Sequence, residues 1–261
     1  MIRFGPAGIG GKDEVISNLN KFSKLGLKAC EIAFTYGIYL RIPKLLHKIK
    51  EVSQKLDVKL SIHAPYWINL NSKEKIKIEQ SKKRILGCCK VGNDLGARKI
   101  VFHAGFYGKM DKETTYQNIK KAIIDMQKVI KKNKWKVELC PETMGKINVF
   151  GSVDEILRLV KETKCNFCLD FAHLYARNLG KKKYKELYGP FKKFKELHCH
   201  FSGIVFGSKG ERSHKATNEK DIRELLGILP KNKDIVIINE SGDPVGDSVK
   251  SLKIYNKKNK K

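Results

Sequence analysis

The sequence predicts an α/β fold in which eight parallel strands alternate with helices and close into a single (β/α)8 TIM barrel. Three observations predict it: eight short apolar runs, helical apolar patterns between them, and a length of 261 residues, which fits one barrel. The runs are nearly continuous and do not alternate with polar residues, as is typical of parallel strands buried on both faces.

The predicted elements follow one another in a regular order along the chain. Residues 119–130 place apolar side chains at helical spacing, and Ser152 and Glu155 have the spacing of a capping box before the next helix. The predicted strands are Ile2–Phe4, Ala29–Phe34, Lys59–His63, Ile100–His103, Val137–Cys140, Phe167–Asp170, Leu197–Phe201 and Ile235–Asn239.

No feature of the sequence divides the chain into two domains. There is no repeat and no Pro/Gly/Ser-rich linker, so we predict one barrel domain over residues 1–255. The basic segment Asn256–Lys261 is predicted to be a disordered tail. A doubly wound open sheet would give the same alternation of elements, but no GxGxxG motif follows the first strand, which disfavours that fold.

The charge balance is strongly basic. Lys and Arg number 54 against 27 Asp and Glu, which gives a net charge of +27. Such an excess attracts polyanions, because each neutralised phosphate releases counterions on binding. A general bias towards Lys would also give a solvated basic surface, and charge alone does not distinguish DNA from RNA.

We expect a soluble cytoplasmic protein without disulfides. No apolar run reaches the roughly 18 residues of a membrane span, and the start MIRFGPAG has no apolar signal region. The seven cysteines are odd in number and lie in segments that favour burial. The lone CxxC pair, Cys165 and Cys168, is better explained as two core residues than as a zinc or redox site.

Residues that can bind a metal stand at the ends of six predicted strands. The carboxyl ends of barrel strands converge on one mouth, so these side chains should meet there. One such residue is more often structural, but six together predict a site that suits zinc, manganese or iron. They exceed the needs of one tetrahedral ion, so we expect two or three ions, which could activate water for phosphoryl displacement. The six are His63, His103, Glu142, Asp170, His198 or His200, and Glu240.

Six segments, in this order and spacing, resemble the endonuclease IV family of apurinic/apyrimidinic endonucleases: SIHAPYWINL, VFHAG, PETMG, CLDFAH, HFSG and INE. The resemblance extends from about the second strand to the eighth, and HAPYWINL and CLDxxH are its most specific pieces. It implies a monomeric TIM barrel of the xylose-isomerase-like superfamily with three zinc ions. It also implies cleavage of double-stranded DNA on the 5′ side of an abasic site, which leaves a 3′-hydroxyl and a 5′-deoxyribose phosphate.

The resemblance also assigns roles to residues of this chain. Glu142 and Glu240 would orient a hydroxide held between metals, and Glu240 could assist as a base. Tyr66 and Asn69 would line the groove that faces DNA, although Tyr66 could simply pack over the barrel rim. The implied ligands are His63, His103 and the bridging Glu142 for the first zinc, Asp170, His200 and Glu240 with Glu142 for the second, and His173 and His214 for the third.

The seventh strand departs from a simple match because it offers two histidines. His198 and His200 are two residues apart, so both side chains can point into the barrel. In the segment HFSG, Ser202 stands where the family usually has Asn, and this alignment favours His200 as the ligand. His198 would then be an inner or supporting residue.

The third zinc site also departs from the family pattern, which is Asp-x-His. Here the segment is GERSHK, and Arg212 stands two residues before His214, where it cannot bind a metal. Glu211 could take the place of the Asp if the loop is remodelled. Otherwise the site would hold two metals, and catalysis could be slower or altered.

Two other functions remain open at this point. A sugar isomerase or epimerase of the xylose-isomerase-like barrels would hold one Mn²⁺ or Mg²⁺ with the same residue types as Glu142, Asp170, His200 and Glu240. A barrel that binds nucleic acid but is catalytically weak would account for Arg212 at the position of a third-site metal ligand. The charge of +27 and four additional imidazoles favour the nuclease. Those imidazoles belong to His63, His103, His173 and His214.

Overall fold

Eight parallel strands form the wall of a barrel in the computed structural model, which describes residues 1–259. The strands pair in two sheets of four, and isolated bridges between Ala7 and Glu31 and between Glu142 and Cys168 join the sheets at both seams. The predicted (β/α)8 barrel is therefore confirmed. The wall strands are β1 (Ile2–Pro6), β2 (Ala29–Ala33), β3 (Lys59–His63), β4 (Lys99–Phe102), β5 (Glu138–Pro141), β6 (Leu169–Asp170), β7 (Glu196–Phe201) and β10 (Asp234–Asn239).

The helices pack around the wall through their apolar faces, and the capping box of Ser152 and Glu155 is present at the start of the helix Val153–Thr163. None of the described helices is both long enough and apolar enough to cross a membrane. The helices are α1 (Val15–Lys24), α2 (Pro43–Lys55), α3 (Lys75–Leu95), α4 (Lys112–Lys132), α5 (Val153–Thr163), α6 (Phe171–Arg177), α7 (Tyr184–Tyr188), a 3-10 turn (Gly189–Phe191), α8 (Glu219–Ile228) and α9 (Pro244–Asn259).

Between β7 and β10 the chain forms an antiparallel hairpin, β8 (Gly203–Gly207) and β9 (Gly210–Lys215). The sequence indicated only a loop here, because the second strand of the hairpin has no apolar run. The hairpin reaches the loop after β5, where the Glu211 amide donates to the Gly145 carbonyl over 3.2 Å. Gly210 allows this approach, because it has a φ of +90° and a Cβ there would lie 2.2 Å from the Gly145 oxygen.

The carboxyl-terminal segment differs from the predicted disordered tail. Helix α9 continues to Asn259, so residues 256–259 are helical, while Lys260 and Lys261 lie outside the described residues. The helix is held on the barrel by packing, since the Tyr255 and Phe4 rings lie 5.6 Å apart. Farther on, the Lys258 ammonium donates to the Leu226 carbonyl over 2.9 Å, which fixes the basic end of the helix.

The cysteines are all buried and free, as the sequence predicts. Burial raises the pKa of the Cys165 thiol to about 11, and the pKa of Cys168 lies still further above its usual value. Cys165 and Cys168 are thus core thiols that remain protonated near neutral pH, and they lack the exposure of a redox pair.

Candidate metal centre

The predicted metal-binding residues meet at the carboxyl-terminal mouth of the barrel, where they form three groups. His63 ends β3, Asp170 ends β6 and His200 lies near the end of β7. His173 lies on α6, Glu211 and His214 lie on the hairpin, and the remaining residues directly follow β4, β5 and β10. The groups are His63, His103 and Glu142; then Glu142, Asp170, His200 and Glu240; then His173, Glu211 and His214.

Distances in the first group fit a tetrahedral ion. The Nε2 atoms of His63 and His103 lie 3.3 Å and 3.2 Å from Glu142 Oε2. Zinc bonds of about 2.0–2.1 Å in a tetrahedron place neighbouring ligand atoms about 3.3 Å apart. These three side chains could therefore hold one zinc ion without rearrangement.

The second group uses the other oxygen of Glu142. His200 Nδ1 lies 3.3 Å from Glu142 Oε1 and 3.3 Å from Glu240 Oε2, and 4.0 Å from Asp170 Oδ2. Among the described residues, Glu142 Oε1 and Asp170 Oδ2 are buried without a hydrogen-bond partner. Buried oxygens of this kind are costly unless a cation binds them, so Glu142 fits a ligand that bridges two ions.

The third group depends on a β-bulge in the hairpin. Val205 pairs with Ser213, but Phe206 pairs with Glu211, so Arg212 is the additional residue. Side chains alternate along a regular strand, and the extra residue therefore brings Glu211 and His214 to one face although they are three apart. Arg212 is exposed and lies against Gly207.

Glu211 thus occupies the ligand position of the third group that the sequence left undecided. Its Oε2 lies 3.4 Å from His173 Nε2, and this oxygen has no hydrogen-bond partner among the described residues. His214 completes the group, with its ligand atom within 4.8 Å of the other two. The bulge therefore offers a carboxylate and two imidazoles for a third ion, with Glu211 instead of an Asp.

A neighbouring oxygen orients each of three histidines. His63 Nδ1 lies 2.8 Å from the Ala64 carbonyl, and His173 Nδ1 lies 3.0 Å from the Thr143 carbonyl. His214 Nδ1 lies 2.7 Å from the Ser202 hydroxyl. Such contacts fix the tautomer and leave Nε2 free for a metal. Ser202, which replaces the usual Asn of the family, therefore has a supporting role here.

His198 lies behind the second group. Its Nε2 is 2.9 Å from an oxygen of Glu31, and Glu31 also contacts the Nε2 of His200 at 2.9 Å. His198 therefore supports the site, and His200 faces the metal-binding carboxylates. Sequence reasoning missed Glu31 because it lies within the apolar run of β2, where an acidic residue was the only signal.

The buried charges at the centre depend on one another. Burial alone would raise the pKa of Glu142, but the charge of His200 and the close imidazoles of His103 and His173 hold this pKa well below its usual value. For Asp170 burial dominates and raises the pKa to about 7. Burial alone would lower the pKa of His200, but charge interactions with Cys168 and then with the nearby carboxylates raise this pKa well above its usual value. In the metal-free protein, protons on Asp170 and His200 therefore offset part of the negative charge of the carboxylates.

We expect metal binding to strengthen as the pH rises from 5.5 to 8. Asp170 and His200 have raised pKa values and must lose protons to bind a metal, so lower pH favours the metal-free form. Zinc titrations by calorimetry in buffers of different ionisation enthalpy should record proton release. Affinity that is unchanged or weaker at higher pH would contradict this assignment.

The two residues predicted to face DNA differ in position. Tyr66 is 55% exposed at the mouth, with its ring stacked on that of His103 at 5.6 Å. The Asn69 side-chain oxygen instead accepts from the backbone amides of Asn71 and Phe106. Through this oxygen Asn69 braces the loops after β3 and β4, and its contact with DNA stays a prediction.

Exposed aromatic residues surround the mouth, and the sequence reasoning did not single them out. Trp67 is 63% exposed beside Tyr66, and Tyr36 and Phe106 are exposed on the loops after β2 and β4. Aromatic residues directly after strand ends were the available signal. These rings offer stacking surfaces around a strongly basic barrel.

A separate cavity of about 370 Å³ opens at the opposite end of the barrel, beside the beginnings of β3, β4 and β7. Its cations are already paired: Lys59 contacts Asp234, and Lys99 contacts Glu138 at 2.7 Å. The cavity therefore offers little free charge, and the metal-binding groups remain the chemically distinctive part of the molecule.

Curated relatives match most or nearly all of the chain. An uncharacterized protein of Methanocaldococcus jannaschii is 38% identical, and the match covers 98% of this chain and 97% of that protein. A probable endonuclease 4 of Mycoplasma genitalium is 29% identical over 70% of this chain and 66% of that protein. The resemblance to endonuclease IV inferred from the motifs is thus confirmed.

Solved structures and a family model agree on the barrel. Endonuclease IV from Thermus thermophilus has a TM-score of 0.75 at 19% identity, with 98% of each chain covered. A D-tagatose 3-epimerase-like protein has a TM-score of 0.72 at 17% identity, with 98% of this chain and 99% of that chain covered. The model of the xylose isomerase-like TIM barrel family matches residues 19–257, and this chain is a member of that family.

Proposed function

We propose that this protein is a zinc-dependent endonuclease that hydrolyses the DNA backbone on the 5′ side of abasic sites. The observation that carries the proposal is the set of three adjoining groups of imidazoles and carboxylates at one mouth. Support also comes from the probable endonuclease 4 relatives and from the net charge of +27.

The three groups would hold zinc, which supplies an activated water and neutralises charge on a phosphate when it is bound. Glu142 is fully buried and would bridge the first two sites, so its role is to hold and orient. The Glu240 side chain is 16% exposed at the edge of the second group. It is the carboxylate best placed to orient the attacking water and accept its proton.

The depth of the centre bears on the substrate. His173 and Glu142 are almost completely buried, so a phosphate in an undistorted duplex would not reach them. A nucleotide without its base is more easily turned out of the helix, because less stacking and pairing is lost. An abasic nucleotide would thus enter the mouth more readily than a normal one.

We expect Trp67→Ala to weaken binding to an abasic duplex by roughly 5- to 150-fold. Loss of one stacked aromatic costs about 1–3 kcal/mol, and Trp67 is the most exposed tryptophan at the mouth. Fluorescence anisotropy with a labelled duplex would measure the change. Leu25→Ala, an exposed apolar residue between α1 and β2, is the control and should bind like the wild type. Equal affinity of both variants would contradict a DNA-binding role for this rim.

The second candidate is a sugar epimerase with one Mn²⁺ or Mg²⁺. It is favoured by the second group, which has two Glu, one Asp and one His, and by the fold of the epimerase-like protein. It leaves the first and third groups without a role. Incubation of the zinc-loaded protein with a duplex containing one abasic site separates the two: we expect incision, while epimerisation of a ketose without incision would favour the alternative.

A further inference from the structure

Glu31 is a buried carboxylate at the centre of the barrel that belongs to none of the three metal-binding groups. It lies in the middle of β2 and has no exposed surface. A carboxylate removed from water needs several donors. Three polar atoms lie around it: His198 Nε2 at 2.9 Å, His200 Nε2 at 2.9 Å and the Ser61 hydroxyl at 2.8 Å.

The two oxygens of Glu31 have different neighbours. Oε2 is held by the Ser61 hydroxyl at 2.8 Å and by His198 Nε2 at 2.9 Å. Oε1 lies 2.9 Å from His200 Nε2, but the pair is not aligned as a hydrogen bond, since neither atom has a hydrogen-bond partner among the described residues. Because Oε2 is already engaged, Oε1 is the oxygen available to receive a hydrogen bond when the His200 ring turns towards it.

The two nitrogens of His200 then have different tasks. When Nε2–H donates to Glu31, the lone pair of Nδ1 faces Glu142 and Glu240, where an ion of the second group would lie. His63 and His214 contact a backbone carbonyl and a hydroxyl, while His173 Nδ1 lies beside both the Thr143 carbonyl and Glu142, a residue of the metal-binding groups. Glu31 differs because it is a carboxylate outside those groups that lies behind His200, and a charged acceptor makes an imidazole a stronger ligand.

We propose that Glu31 is the positioning residue of the second metal group, which fixes the orientation and tautomer of His200 and thereby sets the affinity for that ion. This inference rests on the metal-dependent function proposed above. A rival arrangement would place a fourth cation among Cys168, His198 and His200, whose ligand atoms lie within 4.8 Å of one another. His198 Nε2 is already engaged by Glu31 at 2.9 Å, so we favour positioning.

The test is Glu31→Gln, which keeps the size of the side chain and can still accept from His200. We expect one bound ion to lose about 10- to 100-fold in affinity in competition with a chromophoric chelator, while the other ions are held as in the wild type. The visible spectrum of the cobalt(II)-substituted protein should change as well. Glu138→Gln, the same replacement at the start of β5, is the matched control and should leave affinity and spectrum unchanged.

A double-mutant cycle tests whether Glu31 acts through His200. In a His200→Gln background, Glu31→Gln should cause no further loss of metal affinity. Wild-type affinity and an unchanged cobalt spectrum in Glu31→Gln would overturn the inference. So would the loss of one ion from both Glu31→Gln and Cys168→Ser, which would indicate a fourth cation. If Glu31→Gln does not fold, Glu31→Asp, which withdraws the carboxylate from His200, should show the same weakening.

The wild-type protein separates this inference from the proposed function. If the wild type binds no metal, the proposed function fails and Glu31 has no ligand to position. If the wild type binds metal and Glu31→Gln binds it equally well, only the role of Glu31 fails.

Discussion

Glu142→Gln should lower the rate of abasic-site incision by at least about 10²–10³-fold. Removal of one preorganised charge-stabilising group costs this much in other enzymes, and Glu142 would serve two ions at once. Its two oxygens face His63 and His103 on one side and His200 on the other. The amide cannot provide two anionic oxygens, so the bridge should be lost. Single-turnover incision kinetics and zinc content of the purified variant would measure the effect.

Glu138→Gln is the matched control, because it makes the same replacement at the beginning of the strand that Glu142 follows. Glu138 is partly exposed and contacts Lys99 and Arg98, away from the mouth. Its incision rate should stay near that of the wild type. Full activity in Glu142→Gln, or an equal loss in both variants, would contradict the bridging role.

Glu211→Gln should remove the third ion and reduce incision by about 10²-fold or more, since less charge on the phosphate would be neutralised. The prediction follows from the bulge, which places Glu211 beside His173 at 3.4 Å. Zinc content should fall by one ion per chain, and the Michaelis constant for DNA should change less than the turnover rate.

Arg212→Gln is the counterpart, because Arg212 occupies the position in which the family has its Asp. It is exposed and lies against Gly207, so zinc content should stay unchanged. Loss of an ion in Arg212→Gln with none lost in Glu211→Gln would show that the hairpin has another register in solution.

The sequence predicted much of the barrel because buried parallel strands leave continuous apolar runs. Each of the eight predicted strands overlaps a wall strand of the structure, and His63, Glu142 and Asp170 stand at strand ends as expected. Strand ends converge in a closed barrel, so the order of motifs was enough to predict that these residues meet.

The remaining features depend on packing that local patterns do not encode. The hairpin was missed because its second strand is polar, and the choice of Glu211 over Arg212 depends on one bulged residue. The motif that contains Asn69 likewise did not reveal that its side-chain oxygen accepts hydrogen bonds from two backbone amides. The role of Glu31 could not be predicted from its apolar strand, because its partner histidines are more than 160 residues away in the sequence.

The number and kind of metal ions bound to the purified protein test the central claim most directly. Elemental analysis of protein that has been stripped, reloaded from a mixture of metals and freed of unbound ions would give both. The three groups of imidazoles and carboxylates, in each of which the ligand atoms lie within 4.8 Å of one another, predict three zinc ions per chain. A single Mn²⁺ or Mg²⁺ per chain, with no zinc retained, would contradict the account and support a single-ion isomerase.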